Sequence, residues 1–215
     1  FTAEYVGNSI IKDNIFAVIN NYARKKEISL ELLRFPIQDD ELWALTFLKQ
    51  NTIFICVNTT LPLCKQFFAA AHELYHIYCY VENADQSYIK NGSMLDSATG
   101  DEAGSTQEDL EANAFAGLLL MPNQILHEQI LLYGIGNKLS EIDSILTLMD
   151  MFAMPFKAVV LRLFESGNIE YIDEPNFLLQ KNEFVAIEFS CNSVTKKTKT
   201  EYTSGRAGAN VRVAK

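Results

Sequence analysis

Residues 67–81 read FFAAAHELYHIYCYV. The run is apolar on every side, which predicts a buried helix, and within it His72-Glu73-Leu74-Tyr75-His76 spells HExxH. On a helix, side chains at i and i+4 stand one above the other about 6 Å apart, so both imidazoles can reach one metal ion from the same face. Glu73 is turned about 100° away from His72, which suits a base that works on water beside a metal without ligating it. Chance alone would put this pattern into roughly 0.2% of shuffled chains of the same composition, too few to treat it as an accident. One carboxylate and two imidazoles are also costly to bury in an apolar helix unless they are paired or metal-bound.

Zinc held for catalysis normally takes three protein ligands and keeps one position open, so a third donor is needed. Cys79 lies about 10 Å along the helix axis from His72, too far for its short side chain. Glu82 falls where the longer HExxHxxGxxH pattern has its third histidine, but Cys79 replaces the glycine that would break the helix, so Glu82 points away from His76. Glu111 is the remaining choice, on a separate helix. Phe115 and Leu118 at i+4 and i+7 place it at the head of a stripe expected to face the core, where a carboxylate needs a cation. Glu108 and Asp109 read as first-turn capping and dipole residues, and His127, among Gln124, Glu128 and Gln129, as solvated surface. The expected zinc ligands are His72, His76 and Glu111, with Glu73 as catalytic base.

Working outward, Thr59 or Thr60 is the expected N-cap of the motif helix, which starts at Leu61 or Pro62 and runs to about Val81. Upstream, residues 41–48 and 52–58 are rich in aromatic and branched side chains around Lys49, Gln50 and Asn51, the signature of a hairpin. Ser9 precedes apolar residues spaced by three and four, predicting an amphipathic helix to Arg24–Lys26. Downstream, residues 83–104 are polar and long enough for a functional loop or lid. Ser105 with Glu108, or Thr106 with Asp109, opens a helix through Met121, and another is expected from Pro122 to Leu132. Ser140 with Asp143 caps a further helix, and Met154-Pro155 separates it from a last one, a pair resembling a helix-turn-helix. Residues 183–190 alternate as a late strand would. The pattern predicts an α+β fold, a small antiparallel-containing sheet packed by helices. The expected divisions are a metallopeptidase-like domain over 1–135, a helix-turn-helix-like segment over 136–170 and a C-terminal extension over 171–215.

Composition sets the outer limits. With 215 residues, 48% of them hydrophobic and 21% charged, the chain falls in the globular class. No apolar run approaches the roughly 18 to 20 residues of a membrane span, so no membrane partner is expected. A net charge of −9 and a pI near 4.9 disfavour direct nucleic-acid binding. Lys196, Lys197, Lys199, Arg206, Arg212 and Lys215 concentrate positive charge in a tail expected to be flexible. Residues 140–167 could instead form a DNA-reading unit, but its second helix offers only Lys157 and Arg162 against Glu165. Four cysteines without a CxxC pair suit reduced thiols in the cytoplasm.

The segments FFAAAHELYH and EDLEANAFAGLLLMP, in that order, resemble the ImmA/IrrE family of metallopeptidases, whose pattern is AHELGH followed by EANxFAxxLLMP. Residue by residue, the resemblance implies His72, His76 and Glu111 as zinc ligands and Glu73 as base. MFAMPFKAVVLRLFESGNI, residues 151–169, is similar to the family's helix-turn-helix-like segment with its Arg-Leu pair, here Arg162-Leu163. Tyr75 departs from the usual glycine of HELGH, and Phe67 falls where a basic residue is frequent. The resemblance implies an intracellular zinc endopeptidase, of a kind found on mobile elements or in stress pathways, that cleaves a helix-turn-helix transcriptional repressor. The alternative is a non-catalytic, metal-containing antirepressor that sequesters its partner. Tyr75, Tyr133 and Arg162 remain open as groups that would stabilise the oxyanion.

Overall fold

A computed structural model of the chain describes residues 1–7, 9–83, 89, 93–96, 107–139 and 141–169. The expected caps Ser105, Thr106 and Ser140, most of the expected loop or lid over 83–104, the late strand over 183–190 and the basic tail lie outside the described residues.

The hairpin forms as its sequence predicts. Strands β2 (Leu42–Lys49) and β3 (Thr52–Asn58) pair antiparallel, with Lys49 opposite Thr52. Gln50 and Asn51 both take positive φ, 50° and 61°, which matches the twist of a two-residue type I′ turn. Two strands went unread in the sequence. Strand β1 (Leu30–Phe35) pairs parallel to β3, and a short β4 (Ser93–Asp96), inside the stretch expected to be a loop, pairs antiparallel to β2. The sheet is therefore mixed, in the order β1-β3-β2-β4, and the architecture is α+β.

Helix α1 (Thr2–Tyr5) precedes α2 (Ile15–Lys25), which begins later than Ser9 predicts. A 3-10 turn over Lys12–Asn14, with Lys12 at φ 47°, interrupts the apolar series, so Ile11 enters the core ahead of the helix. The motif helix α3 spans Leu63–Asn83. Thr60 does not cap it: its hydroxyl donates to Asn58 Oδ1 at 2.7 Å and Ile37 O at 3.2 Å, while Gln66 Nε2 reaches back to Leu61 O at 2.7 Å. Buried Asn58 fastens the loops around the sheet's end. It also accepts from the amides of Ile37 and Thr60 and donates to Asp39 O and Leu42 O. Ala69, Ala70, Ala71, Leu74 and Ile77 of α3 are fully buried in one core with Ile55 and Val57 of the sheet and Ile15, Ile19 and Tyr22 of α2.

Helix α4 (Gln107–Leu120) lies against α3, followed by α5 (Asn123–Tyr133), α6 (Ile142–Phe152) and α7 (Phe156–Glu165). Gly134 ends α5 in the left-handed conformation. Helices α6 and α7 bend by 102° across their break. Among the described residues, no single helix is long and apolar enough to cross a membrane. Arg162 of α7 is turned inward, against Gly117 of α4, rather than toward solvent.

Candidate metal centre

The site is built where α3 and α4 approach. Ala112 and Ala116, small and fully buried, lie on the buried face of α4 with Leu119 and Leu120, and Gly117 on the same helix faces Arg162 of α7. Of the stripe expected from Phe115 and Leu118, Phe115 packs against the core but Leu118 does not. Leu118 is 46% exposed and Glu111 is on the exposed flank, so the buried face of α4 is rotated from the one the sequence suggested.

His72 and His76 stand as the motif predicts, buried on one face of α3, with their Nε2 atoms 3.1 Å apart. Each Nδ1 faces an oxygen acceptor on α4. His72 Nδ1 is 2.9 Å from Asn113 Oδ1, and His76 Nδ1 is 2.7 Å from Glu108 Oε1. Assigned from those acceptors, both rings carry their proton on Nδ1 and present a lone pair at Nε2. Burial, reinforced by neighbouring His76, pushes His72 down to about 3 against the opposing pull of Asn113 and Asp109, so its ring is neutral at ordinary pH, the form that binds metals.

Asp109 Oδ1 lies 4.0 Å from His72 Nε2, and the donor atoms of His72, His76 and Asp109 all lie within 4.8 Å of one another. The 3.1 Å separation of the two Nε2 atoms is a hydrogen-bond distance, and with the ring protons on Nδ1 it offers two lone pairs that one cation could take. Two nitrogens held about 2.05 Å from one tetrahedral ion would be about 3.3 Å apart, close to the spacing seen. The donor set fits a divalent metal. Glu73, the next residue after His72, is fully buried.

The structure does not bring Glu111 to the imidazoles. Tyr75 donates its hydroxyl to Glu111 Oε2 at 2.5 Å, and Gln107 Nε2 donates to Oε1 at 3.1 Å. The Tyr75 hydroxyl and then the Gln107 amide hold the Glu111 carboxyl below the usual carboxylate range. Burial, and then the bond to Glu111, raise the Tyr75 phenol above its ordinary value. Among the residues set aside, Glu82 pairs with Lys26 at 2.7 Å and accepts from Tyr22 at 3.1 Å, and His127 is exposed. Arg162, an open oxyanion candidate, spends its guanidinium on Met121 O, Asn123 and Glu165.

Glu108, Asp109 and Asn113 are the residues the sequence undervalued. Asp109, Ala112, Asn113 and Ala116 recur at helical spacing, and that series of small and polar residues was the available signal.

The family profile Peptidase M78, described as the IrrE N-terminal-like domain, matches residues 25–164. The chain belongs to this family. The M78 match extends from the last residue of α2 almost to the end of α7, so both helices of the metal centre fall inside a metallopeptidase domain. No curated protein matches the chain at a significant level.

Proposed function

We propose that this M78 chain is a zinc-dependent endopeptidase that hydrolyses a peptide bond in a protein substrate, a helix-turn-helix transcriptional repressor. The observation that carries the proposal is the pair of inward Nε2 atoms 3.1 Å apart, each ring oriented from behind by an α4 side chain. Two imidazoles with one carboxylate are a donor set suited to zinc. His72 and His76 would hold the ion, and a carboxylate of α4 would complete the set. Asp109 is the nearer, and Glu111 is the one the family resemblance implies. When bound, zinc supplies Lewis acidity and makes water more acidic.

The chain's own residues supply the rest. Glu73 accepts a proton from the attacking water and returns it to the leaving amine, a role favoured by its burial beside His72. Asn113 and Glu108 keep the two rings turned so that Nε2 rather than Nδ1 faces the site. The repressor substrate rests on the resemblance carried by the two motifs. Buried, reduced Cys56, Cys64 and Cys79 support a cytoplasmic setting.

The test is Glu73→Gln, assayed for zinc content and for cleavage of a repressor encoded beside the gene. Retained zinc with cleavage lowered by about 10²–10⁴ supports the assignment. Cleavage at the wild-type rate would refute it. Relief of repression by the uncut variant would favour the sequestering antirepressor instead.

A further inference from the structure

Arg162 is buried on α7 and reaches across to the C-terminal end of α4. Its Nη2 donates to Met121 O at 3.2 Å and to Asn123 Oδ1, on residues just past that end, while Nη1 donates to Glu165 Oε2 at 2.7 Å on its own helix. The guanidinium is thus tied to both elements, and its stem lies so close over Gly117 that a Cβ there would meet Cδ at 2.8 Å. Nε is buried with no hydrogen-bond partner among the described residues, so an apolar side chain would fill this space at less cost to stability. Packing alone does not account for an arginine at this position.

Gly117 is four residues on from Asn113, so the two lie one above the other on α4, about 6 Å apart. Asn113 Oδ1 in turn accepts from His72 Nδ1 at 2.9 Å. One turn of helix therefore separates the arginine's contact from the side chain that orients a histidine. Ala112 and Ala116, the buried residues before and after Asn113, are too small to interlock deeply with α3, so they do little to stop α4 sliding along its axis. We infer that Arg162 is a positioning residue for the metal centre: by clamping the end of α4 to α7 it fixes the level of Asn113 against His72, and with it the aim of His72 Nε2. The inference rests on the metal reading proposed above. It holds whichever carboxylate of α4 completes the donor set, because both candidates ride on the same helix.

The experiment measures zinc affinity of the full chain by competition with a chromophoric chelator, with Tm from circular dichroism as the control for stability. Arg162→Lys keeps the charge but cannot span Met121 O, Asn123 and Glu165 together, and should weaken zinc binding by about fivefold or more; Arg162→Ala should weaken it by about tenfold or more. Val159→Ala shortens another buried side chain of α7 and should lower Tm while changing zinc affinity by less than about twofold. With Asn113→Ala already in place, either Arg162 change should add less than about threefold, because the link through which it acts is gone. Should Arg162→Ala fail to fold, the lysine variant carries the same comparison.

Undiminished zinc affinity in the Arg162 variants would overturn the inference, as would an equal loss from Val159→Ala or a loss that adds in full to that of Asn113→Ala. Those results leave the metal reading intact. Zinc affinity that survives His76→Ala, or no binding by the wild type, would overturn both.

Discussion

Gly117→Ala is expected to destabilise the protein, against the ordinary preference of helices for alanine. A Cβ at Gly117 would meet Arg162 Cδ at 2.8 Å and Cγ at 3.3 Å, so the arginine would have to move. It has little room to do so. Its side chain is 4% exposed, and its guanidinium donates to Met121 O at 3.2 Å, to Asn123 Oδ1 and to Glu165 Oε2 at 2.7 Å. Overpacking costs about 1–3 kcal/mol, and losing one hydrogen bond from a charged group costs about 1.5–3 kcal/mol. The alanine recovers about 1 kcal/mol of helix propensity. The balance is a loss of about 1.5–5 kcal/mol, or a Tm lower by about 3–20 °C for a chain of this size. Thermal unfolding followed by circular dichroism reads it directly. In an Arg162→Ala background the same change should be neutral or stabilising, because the obstructing side chain is gone. A raised Tm for Gly117→Ala in the otherwise unchanged chain would refute the idea that Arg162 is locked against α4.

Asn58→Ala strips three accepted and two donated hydrogen bonds from the loops at the sheet's end and should cost about 2–4 kcal/mol, seen as a lower urea midpoint. A midpoint shift worth less than about 0.5 kcal/mol would show that water replaces those bonds at little cost. Glu82 gives a pH signature. Its folded carboxyl is held below the ordinary value, chiefly by Lys26 and then by Tyr22, so its contribution is present above the ordinary carboxylate pKa and is lost as pH falls through the depressed value. Between about pH 5 and pH 3 the wild-type Tm should therefore fall more steeply than that of Glu82→Gln, and parallel curves would contradict the pairing. Asn113→Ala and Glu108→Ala each release one imidazole from behind and should weaken zinc affinity by about 10- to 100-fold without altering the fold, as judged by far-ultraviolet circular dichroism.

Local patterns were legible in the sequence because their causes are local. HExxH in an apolar run defines α3, and turn chemistry at Gln50-Asn51 between two aromatic, β-branched runs defines the hairpin. Strand β1 escaped because it is a short edge strand whose alternation, half-buried Leu30 and Leu32 between exposed Glu31 and Leu33, stops at exposed Arg34 and Phe35. Strand β4 is four residues inside a polar stretch, and its pairing with β2 joins positions some fifty residues apart. The rotation of α4 had a different cause. Its apolar residues are spread around the helix, with Leu110 and Leu118 exposed, so hydrophobicity alone could not fix its phase. Ala112 and Ala116 face inward where α4 packs on α3, Gly117 where it meets Arg162 of α7, and that phase turns Asp109 rather than Glu111 toward the histidines. A contact between helices decides it, and no single helix encodes it.

Elemental analysis of the purified full chain, beside His72→Ala and His76→Ala, tests the metal centre most directly. About one zinc ion per wild-type chain, and a small fraction of that in either variant, is the expected result. A wild-type chain without a transition metal, or variants that keep theirs, would contradict the claim that His72 and His76 grip one ion between α3 and α4.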